Sequence, residues 1–118
     1  MAFDQCPPGQ AERAVAAEAA RRTLDWLARC RTSFEELKRS DPEGPEQTLF
    51  PIVQGGVYPE LRAAHAAELV ALDLDGYAIG GLSVGESKAE MFAIAHQTAT
   101  SRKTPNVHSK AVRTSEPV

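Results

Sequence analysis

The chain has 118 residues, 42% hydrophobic and 25% charged, which suits one domain with a core and excludes a globally disordered chain. A formal net charge of -3 gives no bulk electrostatic case for nucleic acid, and two distant cysteines, Cys6 and Cys30, exclude a disulfide framework or a CxxC site and fit a reducing cytosol. No run reaches the length of a transmembrane span, and MAFDQCPPGQ has neither the basic start nor the apolar core of a secretory signal.

The opening Met1-Ala2-Phe3 run reads as the last turn of a strand that ends in Asp4. Cys6-Pro7-Pro8-Gly9 then forces irregular backbone. Residues 10–39 are predicted as a helix, with Ala17, Ala20, Leu24, Leu27, Cys30, Phe34 and Leu37 recurring every three or four positions on one face. The segment Ser40-Asp41-Pro42-Glu43-Gly44-Pro45 stops it as a surface loop, because each Pro lacks a donor and restricts its predecessor.

Leu49 to Val53 is a short apolar run of buried-strand type, although Pro51 cannot donate to a ladder. Gln54-Gly55-Gly56 ends it, and Pro59 suits the first turn of a following helix lined by Leu61, His65, Leu69 and Leu72. Gly76 to Gly80 is the next strand. After Gly81-Leu82-Ser83-Val84-Gly85-Glu86, Ser87 and Glu90 form a capping-box pair for a helix through Met91, Ile94 and Ala95. From about Gln97 the sequence is polar and basic without hydrophobic period and reads as a disordered tail, residues 97–118.

Alternating strands and helices with short loops predict an α/β fold with parallel strands and right-handed crossovers. Two or three βα units are too few for a closed barrel of eight. In parallel α/β folds ligands bind at the C-terminal strand ends, where Asp4, Gln54-Gly55-Gly56 and Gly80-Gly81-Leu82 all fall. A carboxylate accepts paired N–H groups, and a carboxamide offers an acceptor and donors in one plane. Together they suit the edge of a planar heterocycle such as a purine-like base, but also a sugar or a carboxylate.

Plainer roles exist for the same residues. Asp4 can cap a helix or brace the Pro-Pro turn, and Gln54 can bond loop backbone. The Gly-Gly pairs can supply positive φ alone, since they lack both the GxGxxG and the GxxxxGK[ST] spacing. His65 lies on the apolar helix face as a packing residue, and His96 and His108 have no metal-like partner spacing. Cys6, Cys30, Trp26 and Met91 read as packing residues, and Arg102, Lys103, Lys110 and Arg113 as solvated charges.

Three stretches, MAFDQC, LFPIVQGGVYPELR and DGYAIGGLSVGESKAEM, strongly resemble the tRNA-guanine transglycosylases, the queuine tRNA-ribosyltransferase type. The likeness runs from Met1 to about His96, in the family's order, and GGLSVGE places it nearer the bacterial form. The resemblance implies a (β/α)8 barrel with a zinc-binding insertion. The family exchanges the wobble guanine of tRNA for 7-aminomethyl-7-deazaguanine or queuine, through a covalent ribosyl–aspartate intermediate. By motif, Asp4 would bind the N1/N2 edge of the base and Gln54 its O6 side. Gly80, Gly81 and Leu82 would bring backbone groups to it, Glu86 would orient the Leu82 peptide, and Cys6 would line the pocket without attacking.

The same resemblance places the nucleophilic aspartate and the zinc ligands outside the matching stretches, so neither a catalytic residue nor a metal ligand is assigned, and no cofactor is expected here. The chain is accordingly expected to be a central, cytoplasmic fragment of about three βα units of a TIM barrel, recognising a guanine-like base and tRNA without the nucleophile. An unrelated or frame-shifted tail would follow His96. Unpaired parallel edges make a homodimer or a complementing chain the alternative partner, and a non-functional remnant the remaining possibility.

Overall fold

A computed structural model describes residues 1–101 and the backbone of 112–114. The elements run α1 (Arg13–Ser40), β1 (Ile52–Val53), α2 (Pro59–Val70), β2 (Tyr77–Ile79), α3 (Lys88–Thr100) and β3 (Val112–Thr114). The strands form one parallel sheet in the order β1-β2-β3, with Ile52 opposite Ala78 and Tyr77 opposite Val112. The opening residues lie beside Phe50, whose carbonyl accepts the Ala2 N–H at 2.9 Å. The fold is therefore α/β with parallel strands, as the alternating pattern predicts.

Pro51 shortens β1 without expelling it from the interior. It is buried, and its carbonyl accepts the Ala78 N–H at 2.8 Å, so it joins β2 as an acceptor alone. The core gathers Ala2, Leu27, Val53, Ala66, Leu69 and Tyr77, drawn from the opening segment, α1, β1, α2 and β2. The α2 helix lies between α1 and α3 and backs onto β1.

The buried stripe of α1 overlaps the predicted one at Ala20 and Leu27, with Leu24 and Cys30 packed against the core, and departs from it elsewhere. Ala16, Ala19, Ala20, Thr23 and Leu27 are buried, while Leu37 is 68% exposed. The helix packs against α2, and its C-terminal end, from Leu37 on, is exposed. Phe34 is covered by the Lys38 ammonium, 5.5 Å above the ring.

Two further boundaries are set by polar contacts. Ser87 caps α3 by accepting the Glu90 N–H at 3.2 Å, as the capping pair predicts. The disordered tail expected from residue 97 is corrected at the residues described. The α3 helix continues through Thr100, with Thr98 buried and donating to the Ile94 carbonyl at 2.7 Å, and β3 pairs with β2. The remainder of that tail lies outside the described residues. Among the described residues no helix is long and apolar enough to cross a membrane.

Candidate functional site

Three separate pieces of chain meet at the C-terminal ends of β1 and β2. The first is the segment from Asp4 to Gly9, the second is Gln54-Gly55-Gly56, and the third runs from Gly80 to Glu86. Gly9 donates its N–H to the Val84 carbonyl at 2.9 Å, joining the first to the third. Gln54 Nε2 donates to Asp4 Oδ2 at 2.7 Å, joining the second to the first. A charged acceptor makes this bond stronger than an amide–amide contact.

The first segment is fixed from α1. Thr23 accepts the Gln5 N–H at 3.0 Å and donates its own O–H to the Ala19 carbonyl at 2.8 Å. Arg22 Nη1 reaches the Gln5 side chain at 2.6 Å. Asp4 is thus held in a half-buried position beside the end of β1.

Gln54 is fully buried, and its Oε1 has no hydrogen-bond partner. A buried acceptor left in this state is uncommon and carries a desolvation penalty until a donor arrives. Its backbone N–H, beyond the last rung of the ladder, donates to His65 Nδ1 at 2.9 Å. His65 is therefore a neutral imidazole accepting at Nδ1, with Nε2 turned toward the Ala20 backbone of α1 but making no good hydrogen bond. Burial first, and then the neighbouring Arg62, push its pKa down to about 4.

Gly80 and Gly81 permit the close approach of the two turns. A Cβ on Gly80 would sit 2.4 Å from Ile52 Cγ2, and one on Gly81 would sit 2.3 Å from Gln54 Oε1. Gly81 also has a φ of +71°, a region that favours glycine. Beyond it, half-buried Leu82 leads into Ser83, which has a φ of +60°. Glu86 clamps this bend by accepting the N–H of Ser83 at Oε1 and that of Val84 at Oε2, the latter at 3.1 Å. The Ser83 N–H belongs to the peptide whose carbonyl is that of Leu82. Partial burial works to raise the Glu86 pKa, but backbone N–H groups outweigh it and hold the carboxyl below its usual range.

Cys6 is exposed, with its thiol 3.8 Å from the Pro7 carbonyl. Desolvation and then the Asp4 charge push its pKa up, which keeps it a thiol rather than a thiolate at neutral pH. A cleft of about 560 Å³ opens between Phe3, Asp4 and the α1 residues Trp26, Arg29, Cys30 and Ser33. Of the predicted site residues, Asp4 borders it. Among the described residues no group of three or more His, Cys, Asp or Glu side chains converges, so these residues do not fit a zinc site.

The residue that sequence reasoning missed is Arg62, which is fully buried. Its Nε donates to the Gly56 carbonyl at 2.8 Å, Nη1 to Val53 at 3.3 Å and Nη2 to Gly81 at 3.2 Å. Desolvation lowers its pKa to about 10, which leaves it cationic at neutral pH. The signal in the sequence was its place one turn before His65, on the same face of α2.

Parallel strands joined by helices, with glycine turns and polar side chains gathered at their C-terminal ends, make this a protein of the parallel α/β class, in which ligands are generally bound at that edge. The sequence model of one family, queuine tRNA-ribosyltransferase, matches residues 1–110. The chain belongs to that family. The match runs past His96, where the motif resemblance was expected to stop.

The chain is similar to the queuine tRNA-ribosyltransferase of Lachnoclostridium phytofermentans, with 46% identity over 99 residues, or 83% of this chain and 26% of that protein. It is 52% identical over 99 residues to the one from Synechococcus elongatus, covering 84% of this chain and 24% of that protein. For the Gloeobacter violaceus protein the identity is 50% over 99 residues, covering 84% and 24%. The chain thus spans about a quarter of the length of these curated relatives.

Proposed function

We propose that this chain supplies the base-recognition part of a cytoplasmic tRNA-guanine transglycosylase, which exchanges the wobble guanine of tRNA for 7-aminomethyl-7-deazaguanine or queuine. In this reading its βα units are a section of a (β/α)8 barrel. The covalent ribosyl–aspartate chemistry falls to an aspartate outside the residues described. The observation that carries it is the Asp4–Gln54 pair at 2.7 Å, which sets a carboxylate and a carboxamide side by side at the strand ends.

The chemistry follows from the donors and acceptors present. Guanine presents adjacent N1–H and N2–H groups, which one carboxylate accepts in parallel, as Asp4 can. The Gln54 amide offers donors beside it for a carbonyl such as O6. A base entering the site competes with the internal Asp4–Gln54 bond and replaces it with bonds of its own. Rejection of adenine follows, because its amino group and bare N1 reverse the pattern and leave buried groups unpaired.

Calorimetry of the chain with guanine, 7-aminomethyl-7-deazaguanine and adenine tests the reading. Binding of the first two and none of the third supports it. Equal binding of adenine, or no binding of any base, contradicts it. The isolated chain is expected to exchange no labelled guanine into tRNA.

A further inference from the structure

We infer that Arg62 is a positioning residue for the site, a single buried guanidinium that sets both glycine turns before a ligand arrives. The inference rests on the base-recognition reading for its purpose, though its geometry stands apart. Arg62 is fully buried and forms no ion pair with a described carboxylate. A cation in that position is costly unless its donors are used, and here they are spent on three backbone carbonyls. Those carbonyls belong to Val53 at the end of β1, Gly56 in the turn after it, and Gly81 in the turn after β2.

The choice of acceptors determines what each turn shows to the other side. A trans peptide points its C=O and N–H in opposite directions, and among the described residues no peptide is cis. Drawing the Gly81 carbonyl toward Arg62 therefore turns the Leu82 N–H away from it. The Val53 carbonyl held by Arg62 and the Gln54 N–H held by His65 belong to one peptide. That peptide is gripped at both ends by side chains one helical turn apart on α2. The position of the Gln54 side chain, and so its reach to Asp4, is set by this double grip.

Only arginine meets the requirement. Its five N–H groups lie in a planar fork that spans three acceptors, whereas a lysine ammonium is a compact point charge. The Cβ that Gly55 lacks would lie 2.8 Å from the Arg62 backbone nitrogen, so the turn and the start of α2 are also in direct contact.

The test is amide hydrogen exchange by NMR on the full chain, comparing wild type with Arg62→Lys. Positioning predicts that exchange at Gln54, Tyr58 and Gly80, whose N–H groups are hydrogen-bonded to His65 Nδ1, the Gly55 carbonyl and the Val53 carbonyl at the two turns, accelerates tenfold or more. Exchange within α1, at Ala20 and Leu27, stays unchanged. Uniform acceleration across α1 and the turns would mean a general structural role and would overturn the inference, as would no change.

Should the variant not fold, the wild-type chain decides alone. A protected Arg62 Nε–H resonance close in space to Gly56 is expected, and an averaged, fast-exchanging one contradicts the inference. Guanine added to the same samples separates the two readings. Absence of any guanine response in wild type counts against base recognition, while the exchange pattern judges Arg62 independently.

Discussion

His65 Nδ1 accepts the backbone N–H of Gln54 at 2.9 Å, so a buried imidazole on α2 holds the last residue of the β1 arm in place. The bond exists only while that nitrogen is unprotonated. Burial lowers the pKa to about 4 from 6.5, and the unfolded chain takes up the proton first as pH falls. Stability from this residue is thus complete above about pH 6.5, declines between 6.5 and about 4, and is exhausted below. The full loss is on the order of 3 kcal/mol at 1.36 kcal/mol per pKa unit. Thermal unfolding followed from pH 7 to 5 should show a falling midpoint in wild type. In His65→Asn, which keeps an acceptor that does not titrate, the slope should flatten.

Thr23 ties the Asp4 segment to α1 by accepting the Gln5 N–H. Thr23→Val preserves shape and removes the acceptor, stranding that N–H at a part-buried position. A loss of about 1–3 kcal/mol is expected, read by denaturant unfolding. Affinity for guanine should weaken as well, because Asp4 loses its support. Unchanged stability would show that water satisfies Gln5 and that Thr23 does not anchor the segment.

Gly81 combines a left-handed backbone with close neighbours. An added Cβ would meet Gln54 Oε1 at 2.3 Å and Arg62 Nη2 at 3.1 Å. Gly81→Ala is expected to destabilise by roughly 1–3 kcal/mol from backbone strain alone, and to displace the Gln54 amide in addition. Gly85→Ala is the control, since its φ of +120° is also strained but nothing lies within 4 Å. Both should lose stability, and only Gly81→Ala should perturb the Gln54 side-chain amide in an NMR spectrum.

Much of the frame was legible because its signals are local. The Ser87–Glu90 pair, the two glycine turns and the alternation of strand and helix each depend on residues a few positions apart. The α1 face was right at Ala20 and Leu27 but missed Ala16 and Ala19, because Ala16, Ala17, Ala19 and Ala20 give no contrast in hydrophobicity. Arg62 left only its spacing to His65 as a faint sign, for a deeper reason. A charged residue on a helix ordinarily faces water, and its three partners here are backbone carbonyls, which leave no trace in residue identity. The pairing of Asp4 with Gln54 was implied by their common place at strand ends, whereas the unpartnered Oε1 needed the packed structure.

The central claim is that Asp4 and Gln54 together read a guanine-type base. The most direct measurement is a guanine titration of the ¹⁵N-labelled chain, repeated with Asp4→Ala and Gln54→Ala. The account predicts that guanine shifts the Gln54 side-chain amide and the Gly81 and Leu82 backbone amides. Each substitution should weaken binding by roughly 5- to 150-fold, the equivalent of about 1–3 kcal/mol for unpaired base edges. Shifts that persist undiminished in Asp4→Ala, or that fall elsewhere on the chain, would contradict it.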